Sequence, residues 1–279
     1  MDLSVIVPVY HGRKYITNLL TMLNRNIVNA EEYSIEVILV NDSPDESIDD
    51  LVTIQDNNIH VINNTTNLGI QGARIRGIQE ARGEYILMLD QDDKITENTI
   101  QTQLSKIGDA DAILANGYSE DSDNNKIPLY KNEKQKNLAN NFKYYLYYGN
   151  MVASPGVVII KKNKIPKIWL DNILENNGAD DWLLWAAYIK EGCNFALNSD
   201  YVYTHKNVET NFSNDEDRML TSSMEALEIL RKYITNKEYI IHKRRLDMRR
   251  RILNKPSSKW LEYLKNIDVA IYLCFYKII

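Results

Sequence analysis

Cysteine, phenylalanine and long apolar runs are all scarce in this chain of 279 residues. Two cysteines, Cys193 and Cys274, make neither a disulfide framework nor the clustered spacing of a structural metal site. With no secretory leader at the start of the sequence, a reducing, cytoplasmic setting is the expectation. No segment reaches the ~20 apolar residues of a membrane-spanning helix, the nearest being the tail "IDVAIYLCFYKII" (267–279). Positive charge is not in excess: 33 Lys and Arg against 38 Asp and Glu leave a net −5, which argues against a general nucleic-acid binder. Tyrosine, by contrast, is abundant, 18 against 4 Phe. Its apolar body and hydroxyl suit a partly wet surface, such as one meeting carbohydrate or protein.

Several catalytic signatures are missing as well. No G-x-G-x-x-G follows the first apolar run, which weighs against a dinucleotide-binding fold, and no G-x-x-x-x-G-K-[ST] marks a P-loop. Neither a G-x-S-x-G elbow nor an H-E-x-x-H helix occurs. What remains is a metal-assisted site without a covalent nucleophile.

What is present begins with alternation. Short β-branched runs, "LSVIVPV" (3–9), "IEVILV" (35–40), "IHVIN" (59–63) and "EYILMLD" (84–90), alternate with amphipathic stretches at 15–27, 70–82 and 96–107. That order predicts an α/β fold with helices flanking a mainly parallel sheet. Gly83 is expected to cap the helix over 70–82, and Thr96 to open the helix over 96–107. Residues 116–141 are polar and read as irregular; 156–162 returns to strand, 180–190 to helix, and 216–254 is helical up to Pro256. The division that follows is a catalytic domain over 1–215, its halves meeting near 115, and a helical C-terminal extension over 216–279.

In such sheets ligands collect at the carboxyl ends of the strands. The first run ends at Pro8–Tyr10, the second runs into Asn41, Asp42 and Asp45, and the fourth delivers Asp90, Asp92 and Asp93. Helix capping accounts for one or two acids at such an edge. Three acids within four residues repel one another, so a hard cation such as Mg²⁺ or Mn²⁺ is expected among them.

Four segments, "SVIVPVYHGRKYITNLL", "VILVNDSPDES", "NNTTNLGIQGARIRGIQEARGEYILMLDQDD" and "GADDWLLW", occur in that order. Together they resemble the family 2 glycosyltransferases of the GT-A fold, a likeness spanning about the first two hundred residues. The resemblance implies inverting transfer of a sugar, hexosyl or N-acetylhexosaminyl, from a nucleotide diphosphate donor, commonly UDP-linked, with Mn²⁺ or Mg²⁺ as cofactor. It implies that Pro8 and Tyr10 line the nucleoside pocket, that Asp42 meets the base, and that Arg74 lies beside the donor phosphates. The "DQDD" run corresponds to the family's D-x-D, so Asp90 and Gln91 belong to the donor site, Asp92 touches the ribose or the metal, and Asp93 is an alternative metal ligand. His205 falls where many members carry a histidine near the metal or diphosphate. Asp181, second of the acidic pair in "GADDWLLW", would be the general base, with Asp180 and Asp45 in support. Two departures bear on base specificity: "NDSPDE" replaces "DDGSxD", and Ile75 replaces a polar residue after "AR".

The implied acceptor is a saccharide, free or linked to lipid or protein, and nothing in 116–178 specifies it. The basic run "HKRRLDMRRR" (242–251) and the apolar tail after it suit either peripheral contact with the inner face of a membrane or packing against the chain itself or a second copy. A sugar nucleotidyltransferase and a non-catalytic nucleotide-sugar-binding scaffold are the competing readings. The first usually carries a glycine-rich, basic phosphate loop, of which "VPVYHGRKYI" is a poor version; the second would have lost acids that are all present here.

Overall fold

The four apolar runs of the first half are strands lying side by side, because segments apolar on both faces can bury both only inside a sheet covered by helices. The computed structural model describes residues 1–52, 58–206 and 215–278. Strands β1 (Leu3–Val9) and β2 (Ile35–Asn41) are buried along their whole length. They pair in parallel with each other, β2 pairs with β3 (Ile59–Asn63), and β1 with β4 (Tyr85–Met88). Helix α1 (Arg13–Asn29) covers one face through Ile16, Leu19, Leu20 and Leu23, and α2 (Gly69–Glu80) packs on β1 and β2. The sheet continues through β5 (Lys94–Ile95), β6 (Ala112–Glu120), β7 (Lys126–Pro128), β8 (Val158–Lys161) and β9 (Phe195–Lys206), in the order β3-β2-β1-β4-β8-β6-β9-β5 with β7 on β6. β8 enters antiparallel between β4 and β6, and β9 runs parallel to β6.

Two expected helix ends differ from the observed ones. Helix α2 stops at Glu80, and its cap is Ala81 in extended backbone. Gly83 is required for another reason: its N–H donates to Ser4 Oγ at 2.8 Å, and a Cβ there would lie 2.5 Å from the Ser4 nitrogen. Helix α3 (Thr99–Ile107) begins three residues beyond Thr96, because Lys94–Ile95 is drawn into pairing with β9. In the polar stretch after 116, β6 runs on to Glu120, where pairing with β7 and β9 supplies the hydrogen bonds that sequence pattern does not announce.

Contacts divide the chain into two units: 1–129 with 154–165 and 195–208, and 130–153 with 166–194 and 209–279. The first contains the sheet. The second is built of α4 (Glu133–Asn137), α5 (Phe142–Tyr147), α6 (Lys167–Leu170), α7 (Asp180–Lys190), α8 (Glu216–Leu230), α9 (Asn236–Asn254), α10 (Lys259–Lys265) and α11 (Ile267–Ile278). Tyrosines help fill its core: Tyr130, Tyr145 and Tyr188 are buried, and their hydroxyls donate to the carbonyls of Met151, Ala139 and Asn194 at 2.8–2.9 Å. A buried phenol needs such a partner, so part of the tyrosine excess is core rather than wet surface. Helix α11 leaves Ile267, Ile271, Phe275 and Ile278 exposed. Among the described residues no helix is long and apolar enough to cross a membrane.

Candidate active site

The edge where β1, β2 and β4 end is tied together by side chains at their tips. The β1–β4 pairing stops at Ile6 and Met88. Pro8, with no N–H to donate, lies just beyond, where the two strands part. The gap is bridged by Gln91, whose Oε1 accepts from Tyr10 N and whose Nε2 donates to Tyr10 O, both at 3.1 Å. Gly12 makes room for this clamp, since a Cβ there would lie 1.9 Å from Gln91 Oε1. On the β2 side, His11 N donates to Ser43 Oγ at 2.7 Å, with His11 held at φ 44°. A non-glycine residue in that region is uncommon and marks a turn the surroundings enforce. Tyr10 is left exposed, its ring against His11 at 4.4 Å.

Asp42 is buried, and its Oδ1 accepts from Asn64 Nδ2 and Leu68 N, both at 2.8 Å. It thereby fixes the loop that leads into α2. From that helix Arg74, only 2% exposed, pairs with Asp90 at 2.7 Å. Asp45 is exposed on the loop after β2.

The chain turns between Asp90 and Asp93, with Asp93 N donating to Asp90 O at 3.2 Å. Asp93 is buried and fully engaged: Oδ1 accepts from His205 Nδ1 and Lys206 N, both at 3.0 Å, and Oδ2 accepts from the Tyr203 hydroxyl in a very short contact. The Nδ1 edge of His205 thus faces Asp93, and Nε2 is the nitrogen turned away from it. Burial pulls the His205 imidazole down, but the hydrogen bond to Asp93 and the charges of Asp93, Asp90 and Asp92 outweigh it and hold the group above its ordinary value. Asp92 is half-buried; desolvation, then the neighbouring Asp93 and Asp90, push its carboxyl up to about 6. A carboxylate so destabilised in its charged form attracts a positive charge. Next to it lies a cavity of about 430 Å³ walled by Leu19 and Met22 of α1 and by Gln91, Asp92, Asp93 and Lys206. Pro8, Tyr10, Asp42 and Arg74 are outside its walls. Among the described residues no three His, Cys, Asp or Glu side chains converge to hold a metal unaided.

Asp180 and Asp181 belong to the helical unit, in the first turn of α7, where the helix dipole favours acids. Asp180 is buried, its carbonyl accepting from Trp169 Nε1 at 3.1 Å; Asp181 is half-buried. The turn is anchored by Ser222, whose Oγ accepts from Ala179 N and donates to Asn176 O. The sheet unit carries Pro8, Tyr10, Asp42, Arg74, Asp90, Gln91, Asp92, Asp93 and His205, of which Gln91, Asp92 and Asp93 wall the cavity. Tyr203, Gly12, Ser43 and Asn64 were not among the sequence candidates. Tyr203 alone left a signal: it precedes His205 by two residues, and side chains two apart on a strand share a face.

A strand-edge acid cluster on this mixed sheet is thus backed by a half-buried histidine paired with a buried carboxylate. The model of glycosyl transferase family 2 matches residues 4–169, and the chain belongs to that family. The match ends before Asp180 and Asp181. Glycosyltransferase GlyG of Streptococcus pneumoniae serotype 4 is 35% identical over 133 residues, 46% of this chain and 43% of that protein. The poly(ribitol-phosphate) beta-N-acetylglucosaminyltransferase TarS of Staphylococcus aureus is 36% identical over 104 residues, 36% of this chain and 18% of TarS. The chain spans about half the length, or less, of these curated relatives. The crystal structure of S. aureus TarS 1–349 in complex with UDP-GlcNAc superposes with a TM-score of 0.60 at 21% identity, covering 88% of this chain and 72% of the other. That likeness shows the GT-A fold.

Proposed function

We propose that this protein transfers a sugar, with inversion, from a UDP-linked donor to a hydroxyl of a saccharide-type acceptor, with Mn²⁺ or Mg²⁺ as cofactor. The arrangement of Asp92, Asp93, Tyr203 and His205 carries the reading. On this reading Asp93, engaged by three donors, is a positioning residue that holds His205 through Nδ1, and His205 with the Asp92 carboxylate are the groups offered to a cation. Two protein ligands are too few for a closed site, which fits a Mg²⁺-like ion that takes its remaining oxygens from substrate phosphates and water. When bound, the ion neutralises charge that develops on the leaving diphosphate. On this reading Asp42 meets the base, the Gln91–Tyr10 clamp shapes the nucleoside side, and Arg74 with Asp90 lies beside the phosphates. Asp181 then accepts the proton of the attacking hydroxyl, and a single displacement inverts the anomeric carbon without an enzyme nucleophile.

The donor reading draws on TarS, solved with UDP-GlcNAc and with UDP. The relatives' names point to acceptors such as poly(ribitol phosphate). Asp181→Asn tests the mechanism: loss of a general base lowers transfer by roughly 10²–10⁴, while UDP affinity stays as in the wild type. Near-native turnover of this variant would remove Asp181 from the role.

A further inference from the structure

In the helical unit, Arg245 of α9 is 6% exposed, and among the described residues it has no hydrogen-bond or ion-pair partner. The acids of this region are each committed elsewhere: Glu238 to Lys190 at 2.7 Å, Asp247 to Lys243 at 2.8 Å, Glu262 to Arg251 at 2.7 Å, and Asp268 to Arg244. A buried guanidinium without a counter-charge carries an uncompensated desolvation penalty, and proteins rarely leave one so. The surroundings are built to hold it. Gly149, at φ 131°, brings its backbone against the guanidinium so closely that a Cβ would lie 2.5 Å from the Arg245 terminal nitrogen. One turn along α9, Arg249 is exposed and also lacks an acidic partner among the described residues. Burial and then Arg249 pull the Arg245 guanidinium down to about 9, a repulsion that a bound anion would relieve. The Arg245 nitrogens are not sealed off from solvent. One turn back, His242 stacks on Trp182 at 4.3 Å, and Trp182 follows Asp181, so Arg245 belongs to the packing that carries the proposed base.

We propose that Arg245, assisted by Arg249, is an anion-binding subsite that takes a phosphate group of the acceptor. The proposal rests on the glycosyl-transfer reading above and narrows its acceptor to a phosphate-bearing one, whether an alditol-phosphate polymer or a lipid-linked sugar diphosphate. Arg245 is a binding residue here, since its guanidinium would touch the substrate away from the reacting carbon.

The test titrates the full chain with three probes: a ribitol-phosphate trimer, an N-acetylglucosamine linked to a short prenyl diphosphate, and neutral ribitol. UDP titration runs in parallel. Wild type should bind at least one phosphate probe and not ribitol, the tighter one naming the source. Arg245→Met should weaken that binding at least tenfold, and Arg249→Gln several-fold, with UDP affinity unchanged. Removing an uncompensated buried charge leaves stability equal or higher, so the Tm of Arg245→Met should not fall. A fall in Tm, or phosphate binding that survives in Arg245→Met, assigns the residue a structural role and overturns the proposal. Failure of both phosphate probes to bind a wild type that binds UDP overturns it and leaves the donor reading intact. Phosphate binding without UDP binding would instead sink the donor reading and keep the subsite.

Discussion

Replacing Tyr203 by phenylalanine deletes one oxygen and little volume, and it strikes the group that holds the site's histidine. The Tyr203 hydroxyl is the donor to Asp93 Oδ2, while Oδ1 is shared by His205 and Lys206 N. Without it a buried carboxylate oxygen loses its donor, which costs about 1.5–3 kcal/mol for a charged acceptor. For a chain of this size that corresponds to a fall in Tm of about 3–12 °C. Scanning calorimetry on the metal-free protein reads it directly. Asp93 already titrates above its ordinary value, burial being the largest cause, so the folded state takes up a proton more readily than the unfolded one. Its ionised form therefore weighs against the fold as pH rises from the ordinary carboxylate value through the raised one. Losing a donor to the carboxylate raises that value further, so the Tm gap between variant and wild type should widen as pH rises above the ordinary carboxylate value. A Tm within 1 °C of wild type at pH 7.5, or a gap independent of pH, would refute the reasoning that Asp93 is a saturated, ionised anchor.

Gly12→Ala should break the Gln91–Tyr10 clamp, because the new methyl would fall on Gln91 Oε1. With two neutral hydrogen bonds lost at about 1 kcal/mol each, UDP affinity measured by calorimetry should drop roughly tenfold or more, with the fold retained by circular dichroism. His242→Phe addresses the helical unit. The buried imidazole, depressed to about 3 by desolvation and then by Arg245, stays neutral when folded, whereas the unfolded chain protonates it near 6.5. Wild-type stability should accordingly fall by up to about 1.4 kcal/mol per pH unit below pH 6.5 from this group alone. The phenylalanine variant should lose less stability between pH 7 and pH 5 in urea unfolding; equal losses would show that His242 does not carry the slope.

Much of the nucleotide half is legible from the amino acids, for a physical reason: runs such as "LSVIVPV" and "IEVILV" are apolar on both faces, and only a covered parallel sheet accommodates them. The acid cluster was visible for the same reason, since charge at the end of a buried run stands out. What was not legible is how neighbouring acids divide their work. Asp92 and Asp93 are adjacent and identical in type and both line the cavity, and only the fold decides that Asp93 is taken up by Tyr203, His205 and Lys206 of β9 while Asp92 is left half-buried. Tyr203 hides in a strand pattern where a buried tyrosine is ordinary. The irregular reading of 116–141 missed the end of β6 because its hydrogen bonds come from partners distant in sequence. Arg245 was seen only as part of a basic run; its burial depends on Gly149, nearly a hundred residues earlier in the chain.

The most direct test is isothermal titration of UDP into the wild type and Asp92→Ala, each with Mn²⁺ and with EDTA. If Asp92 and His205 hold a cation that holds a diphosphate, wild type binds UDP with Mn²⁺ and much more weakly in EDTA, and Asp92→Ala loses the difference. Equal affinity in Mn²⁺ and EDTA, unchanged by Asp92→Ala, would contradict it.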